Sequence, residues 1–286
     1  LAGGLFGGLL ALGLLTKHNT FFLIPSLWLH WLFHQRQKLR GLGEKSWPER
    51  RRALFDWALA PWMRVVAVAT PLLYLAGWPY LWPAPVARFG AYLGFHLHHV
   101  HYNIEYLGNN YNRPPYPWHY VPVVTALTAP VTTIFLSLLG IFVLLRGRRH
   151  ASILLLGLLW PMLVIMRPGT PIFGAEKHWL PSMPFLALCA GLGFSAIAEG
   201  ALKALPRRAF TVAVALSALC VLMPALLEVR RSHPYALSHY NALAGGPGRL
   251  VIVSDLQQRA WSAAESLRVP EGVDVRVSPV TVAPAR

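Results

Sequence analysis

VPVVTALTAPVTTIFLSLLGIFVLLRGRRHASILLLGLLWPMLVIM, residues 121–166, is the stretch whose reading decides the fold. Its first 25 residues carry no charge, a basic burst follows at 146–150, and a second uncharged run starts at Ala151. A hydrocarbon core about 30 Å thick takes roughly 20 apolar residues of helix, so each run predicts a membrane span, near 121–145 and 151–167. Working outward, windows of the same kind lie near 57–79, 179–202 and 209–227. The opening region, 1–34, is apolar except at Thr16, Lys17, His18, Asn19 and Thr20. Too long for one span, it predicts two shorter segments, 1–16 and 20–34, meeting at that polar break. The expected fold class is therefore all-α and integral to the membrane: a transmembrane bundle over 1–227, followed by a small polar tail over 228–286, outside the cytoplasm.

Composition agrees. Of 286 residues, 55% are hydrophobic and 13% charged, against about a quarter charged in ordinary soluble domains. The net charge of +15 does not point to nucleic acid, because the basic residues fall in short bursts between apolar runs rather than on one soluble patch. Cys189 and Cys220 both sit in apolar stretches and match neither a disulfide framework nor a zinc motif. The chain starts at Leu1, within an apolar run and with no charged segment ahead of it, which reads as a fragment whose N-terminal part is missing.

Orientation follows from Lys and Arg in the short connections. Residues 35–56 carry seven, 146–150 three and 203–208 three, whereas 80–120 and 168–178 together hold only Arg88, Arg113 and Lys177. The first set is expected inside and the second outside, and the two interleave without a violation. Arg64 lies near the inner end of its window, close enough to snorkel.

The outer loops concentrate the polar chemistry. Residues 80–120 contain His96, His98, His99 and His101, many aromatics, and the prolines Pro114, Pro115 and Pro117. Proline stiffens such a loop and presents its aromatic rings, which suits either the rim of a cavity or an interfacial aromatic belt. On a helix, His98 and His101 would share a face, with Glu105 four residues beyond, a pattern able to hold a divalent metal ion through imidazole and carboxylate. The second outer loop gathers Arg167, Glu176, Lys177 and His178, and its cations suit a phosphate.

Four segments carry a resemblance: GLLTKHNTFFLIP (13–25), GNNYNRPPYPWHYVP (108–122), GTPIFGAEKHWLPSMPFLALCAGLG (169–193) and HPYALSHYNALAGGPG (233–248). In this order they resemble bacterial members of glycosyltransferase family 39, which includes protein O-mannosyltransferases and aminoarabinose transferases. The resemblance implies a C-type glycosyltransferase in the bacterial cytoplasmic (inner) membrane, its active site facing the periplasm or exterior. It would move a sugar from a polyprenyl-phosphate donor to a protein, lipid or glycan acceptor. On that reading Arg167, Lys177 and His178 hold phosphate. Tyr102, Tyr111, Trp118 and Tyr120 line the sugar site, with His101 able to bond substrate, and Tyr235 and Tyr240 pack above it. Lys17 and His18 either reach the same cavity or cap helices.

The family's catalytic aspartate belongs to a first outer loop near the N-terminus, yet no Asp precedes Asp56 here, and Asp56 is expected inside. The expectation is a fragment without its main base, in which Glu105 and Glu176 are supporting groups. A membrane transporter or lipid flippase is the alternative, although such proteins place ionisable groups near the bilayer midplane and show internal repeats. The tail beyond Gly248 predicts strands at 250–253 and near 273–281 around a helix near 255–268.

Overall fold

Every apolar window carries helix in the computed structural model, which describes residues 1–39, 42–98, 103–147, 151–172, 174–233, 240–244, 250–254 and 275–279. In chain order the helices are α1 (Ala2–Thr16), α2 (Leu23–Gln35), α3 (Trp47–Ala58), α4 (Pro61–Gly77), α5 (Pro85–Leu97), α6 (Tyr120–Thr128), α7 (Val131–Leu145), α8 (Ala151–Ile165), α9 (Met183–Leu202) and α10 (Arg207–Ser232). Strands β1 (Ile104–Tyr106) and β2 (Asn109–Tyr111) form an antiparallel hairpin, and β3 (Leu250–Ser254) pairs in parallel with β4 (Val275–Pro279). The chain is thus mostly helical.

Among the described residues, two segments are long and apolar enough to cross a bilayer unaided, Leu180–Leu202 and Arg207–Arg230. The bent pair α3 and α4 makes a third if taken together, while α1, α7 and α8 are shorter apolar helices. The break expected within 1–34 is present. A 3₁₀ turn at His18–Phe22 separates α1 from α2, because Thr20 donates its hydroxyl to the Gly13 carbonyl at 2.9 Å and closes the end of α1. The window 121–145, expected as one span, is two helices. Proline has no N–H and pushes the residue before it out of helix; Pro130 accordingly follows Ala129, whose ψ is 149°.

Cutting a helix there strands its last carbonyls. Asn241 supplies the partners: its amide Nδ2 donates to Ala126 O at 2.7 Å and its backbone N–H to Leu127 O, also at 2.7 Å. The side chain is 4% exposed, so the segment at 240–244 is anchored on the end of α6.

Helix pairs approach through small residues. At the α7–α9 crossing, a methyl at Gly140 would lie 1.8 Å from the Cys189 carbonyl oxygen, and one at Gly193 2.0 Å from that of Leu136. Close backbone approach of this kind drives helix association where no hydrophobic effect operates. At the α1–α4 contact, buried Thr70 donates to the Gly7 carbonyl at 3.1 Å. Ser26 of α2, fully buried, reaches Leu156 O of α8 at 3.2 Å.

Strand formation corrects one expectation. α5 stops at Leu97, with His98 as its cap, and Glu105 lies on β1. No continuous helix therefore runs from His98 to Glu105; His101 lies outside the described residues. The turn between β1 and β2 has positive φ at both centres, Leu107 at 49° and Gly108 at 77°, the geometry that matches the twist of a two-residue hairpin. In the tail, β3 and β4 fall where the alternation placed strands; the helix expected near 255–268 lies outside the described residues.

Candidate functional site

A cavity of about 1150 Å³ lies between α1, α2, α4 and α5, closed at one end by the segment that carries Thr170, Pro171, Lys177 and His178. Its long walls are apolar, with Phe6, Leu10, Leu27, Trp28, Trp62 and Val66 typical. The polar groups collect at that same end, where Lys17, His18, Asn19, Tyr92, His96, Thr170, Lys177 and His178 line it. An apolar enclosure with a few convergent polar groups is the usual form of a small-molecule site.

Two segments about 160 residues apart in the chain build that end. Lys17 caps the C-terminus of α1 in an extended conformation, which swings the chain off the helix axis and turns its side chain to the loop that carries Lys177. Lys17 Nζ donates to the Lys177 carbonyl at 3.3 Å. Asn19 Nδ2 bridges the carbonyls of Lys177, at 3.0 Å, and His178, at 3.1 Å. The polar break of the first segment is thereby fastened to the Glu-Lys-His loop.

That loop is shaped by two left-handed residues in a row, Gly174 at φ 69° and Ala175 at φ 45°. A methyl at Gly174 would lie 2.5 Å from Lys177 Cε and 2.6 Å from its Nζ, so the bare glycine leaves room for the lysine to fold over it. A non-glycine residue held in this region, as Ala175 is, stores strain of order 1–3 kcal/mol, and such residues cluster at functional sites.

His18 stands among rings: Trp78 at 4.9 Å, Tyr92 at 4.7 Å and Tyr74 at 5.8 Å between centroids. Burial there, and then the charge of nearby His96, hold its imidazole below the ordinary histidine range. The neutral ring is the form present at pH 7. Tyr92 in turn packs on His96 at 4.4 Å, and its phenol is raised above the ordinary range by burial.

The other residues singled out from the sequence lie elsewhere. Tyr120 is 6% exposed and packs edge-on against Tyr106 at 5.0 Å and against Trp179 at 6.2 Å. It belongs to a packed aromatic cluster, within electrostatic reach of Glu176 and Tyr240, and does not line the cavity. Trp179, with no exposed surface, donates its indole N–H to Thr125 Oγ1 at 2.9 Å. Tyr106 shares a 2.7 Å hydrogen bond with His119 Nδ1, and its phenol is raised by burial and then by Tyr111. Tyr111 is half-buried against this cluster, and Trp118 is exposed.

Arg167, also exposed, and Glu176 are absent from the cavity lining. The Tyr116 N–H donates to the Pro168 carbonyl at 3.4 Å, tying the loop before α6 to the one after α8. His98 is exposed and has Nδ1 3.0 Å from the Gly94 carbonyl. His101, Tyr102 and Tyr235 lie outside the described residues, as does the side chain of Glu105. Among the described residues, no three His, Cys, Asp or Glu side chains gather as a metal site.

Tyr74, Tyr92 and Asn19 were not singled out from the sequence, although all three shape the polar end. One local signal exists: Tyr92 and His96 are four apart on α5 and so share a face. Tyr74 and Asn19 are placed by packing between distant segments, which no local pattern encodes.

Neither a protein-family model, nor a curated protein, nor a solved structure matches this chain.

Proposed function

We propose that the chain is the donor-binding part of a membrane glycosyltransferase that transfers a sugar from a polyprenyl-phosphate carrier to an acceptor on the extracytoplasmic face of a bacterial cytoplasmic membrane. One observation carries this reading: Lys17 and Lys177, remote in sequence, both line the polar end of a large apolar cavity, where the Lys17 ammonium reaches the Lys177 backbone carbonyl. A molecule that is isoprenoid along its length and anionic at its head matches both parts. The helices within 1–227 then form a multi-span bundle, with the bilayer thinned locally to match the short apolar helices α1, α7 and α8.

On this reading the Lys17 and Lys177 ammonium groups hold the phosphate through charge-assisted hydrogen bonds. His178 adds a donor, and Tyr92 and His96 face the sugar. Transfer is a displacement at the anomeric carbon. The acceptor oxygen forms the new bond while the bond from that carbon to the phosphate oxygen breaks, its electron pair leaving with the phosphate. The two cations stabilise the charge that develops there. The acceptor's proton passes to a carboxylate. The described lining of the cavity contains no Asp or Glu, so that base is assigned to no described lining residue, and Glu176 is kept as a supporting group.

The test is transfer of labelled sugar from polyprenyl phosphate by the full-length protein in detergent, across several sugars and acceptors. Product formation that is lost in Lys177→Ala and kept in Glu176→Gln supports the assignment. No transfer with any sugar, alongside lipid movement in vesicles, makes the protein a flippase instead.

A further inference from the structure

The segment preceding α4 carries a second surface, with no part in the cavity. α3 and α4 are bent by 55° at Leu59–Ala60, and the bend is built rather than slack. The last carbonyls of α3 each receive a side-chain donor: Trp31 Nε1 to Trp57 O at 2.8 Å, Trp28 Nε1 to Ala58 O at 2.9 Å, and Arg64 Nε to Leu59 O at 3.1 Å. Arg64 also pairs with Asp56 and stacks over Phe55 at 4.6 Å. At its other end α3 is closed by Glu49, whose carboxylate accepts from the Ser46 hydroxyl at 2.6 Å and the Ser46 N–H at 3.1 Å.

With α4 read as a span, a bend of 55° carries α3 away from the span axis, obliquely toward the membrane interface. Its exposure pattern fits that position. Arg50, Ala53 and Trp57 are partly buried toward the protein, and the Arg50 guanidinium is used on the Leu42 and Gly43 carbonyls. The opposite side exposes Trp47 at 67%, Leu54 at 38% and Phe55 at 52%. Arg51 and Arg52 are exposed on the same outward side. Trp47, Arg51, Leu54 and Ala58 are spaced as one helical stripe. A tryptophan, two large apolar groups and arginines able to snorkel from among them are the composition of an interfacial helix. Exposed Arg36 and Lys45 flank it, whereas the acidic groups of α3, Glu49 and Asp56, are engaged in the cap and the ion pair described above.

We infer that α3 is an interfacial helix that lies on the inner leaflet and recruits anionic phospholipid headgroups through Arg51 and Arg52, with Trp47, Leu54 and Phe55 seated among the acyl chains. This rests on the membrane reading of the chain and not on its sugar chemistry. Charge complementarity chooses the occupant, since a basic segment beside a span gains about fivefold in lipid affinity per charge at an anionic surface and loses it with salt.

The experiment uses the full chain equilibrated in mixed micelles of phosphatidylcholine and phosphatidylglycerol, with retained lipid counted by native mass spectrometry. The variant Arg51→Glu/Arg52→Glu is expected to retain about tenfold less phosphatidylglycerol with phosphatidylcholine unchanged, and Arg51→Gln/Arg52→Gln to fall between. In parallel, Trp47→Cys in a Cys220→Ala background carries an environment-sensitive dye in vesicles. Quenching by lipids with a shallow spin label, and shielding from aqueous iodide, is the expected result. Unchanged phosphatidylglycerol retention in both double variants, or iodide quenching equal to that of a free dye, overturns the inference. Polyprenyl-phosphate binding is measured on the same samples; its loss in wild-type protein counts against the donor site alone and leaves the lipid result standing.

Discussion

Replacing Asn19 tests whether the polar end of the cavity is built as described. Its amide donates to two carbonyls, Lys177 O at 3.0 Å and His178 O at 3.1 Å, and each such bond contributes about 0.5–1.5 kcal/mol net. Asn19→Ala removes both, leaving the part-buried His178 carbonyl without this donor while the exposed Lys177 carbonyl keeps Lys17 Nζ, a loss of about 2 kcal/mol. Asn19→Asp keeps the shape but replaces the donor with a carboxylate facing two carbonyl oxygens, so it is expected to cost at least as much as alanine. A domain of this size shifts its melting temperature by about 2–4 °C per kcal/mol. Both variants should therefore melt about 4–8 °C below wild type in detergent. Because the same bonds place the Lys177 backbone, affinity for an isoprenyl phosphate should drop about tenfold as well. An Asn19→Asp variant that melts and binds like wild type would refute the fastening of the first segment to the loop that carries Lys177 and His178.

Gly140→Leu should separate α7 from α9, since even a methyl there meets the Cys189 carbonyl oxygen at 1.8 Å; loss of the cooperative melt, or a drop of about 2–12 °C from the overpacking scale of about 1–3 kcal/mol, checks it. Asn241→Ala removes the partners of the Ala126 and Leu127 carbonyls only in part, because the Leu127 bond uses the backbone, and should cost about 1–2 kcal/mol by the same melt. The lowered His18 gives a pH dependence. The folded form binds fewer protons than the unfolded one between the lowered and the ordinary pKa, so the contribution to stability is full above the ordinary value and is lost as pH falls through that window. Melting temperature should fall from pH 7 to pH 5, and His18→Gln should flatten that fall; Tyr74, Tyr92 and His96 face the ring, and Lys17, Lys177 and His178 share its end of the cavity.

How far the molecule was legible in its sequence depends on the range of the interactions involved. Helix location follows from uncharged runs, and the polar residues 16–20 marked a true break. Pro130 was visible as well, but an apolar run on both sides of it outweighed it in the reading of 121–145 as one span. α3 escaped notice because its charge hides an amphipathic stripe that needs a three-dimensional neighbour, the α2 indoles, to define its buried side. At the candidate site, Lys17, His18, Lys177 and His178 were recognisable as residue types suited to phosphate, and the structure brings them to one cavity. The loop tyrosines were equally conspicuous, yet Tyr120 is consumed in packing against Trp179 and Tyr106. Aromatic composition does not distinguish a ring that faces a ligand from one that faces another ring. Asn241 was passed over beside Tyr240 because its role, satisfying carbonyls about 115 residues away, arises only once α6 has ended.

The most direct test of the account is equilibrium binding to the purified protein of an isoprenyl phosphate and of the isoprenol with the same chain. Each charge-assisted hydrogen bond to the phosphate is worth about 1.5–3 kcal/mol, a factor of roughly ten to a hundred. The phosphate should bind at least tenfold more tightly than the alcohol, and the double variant Lys17→Ala/Lys177→Ala should bring the two together by weakening the phosphate alone. Equal affinity for phosphate and alcohol in the wild-type protein, or a preference that survives the double variant, would contradict the assignment of this cavity to a lipid-linked phosphate.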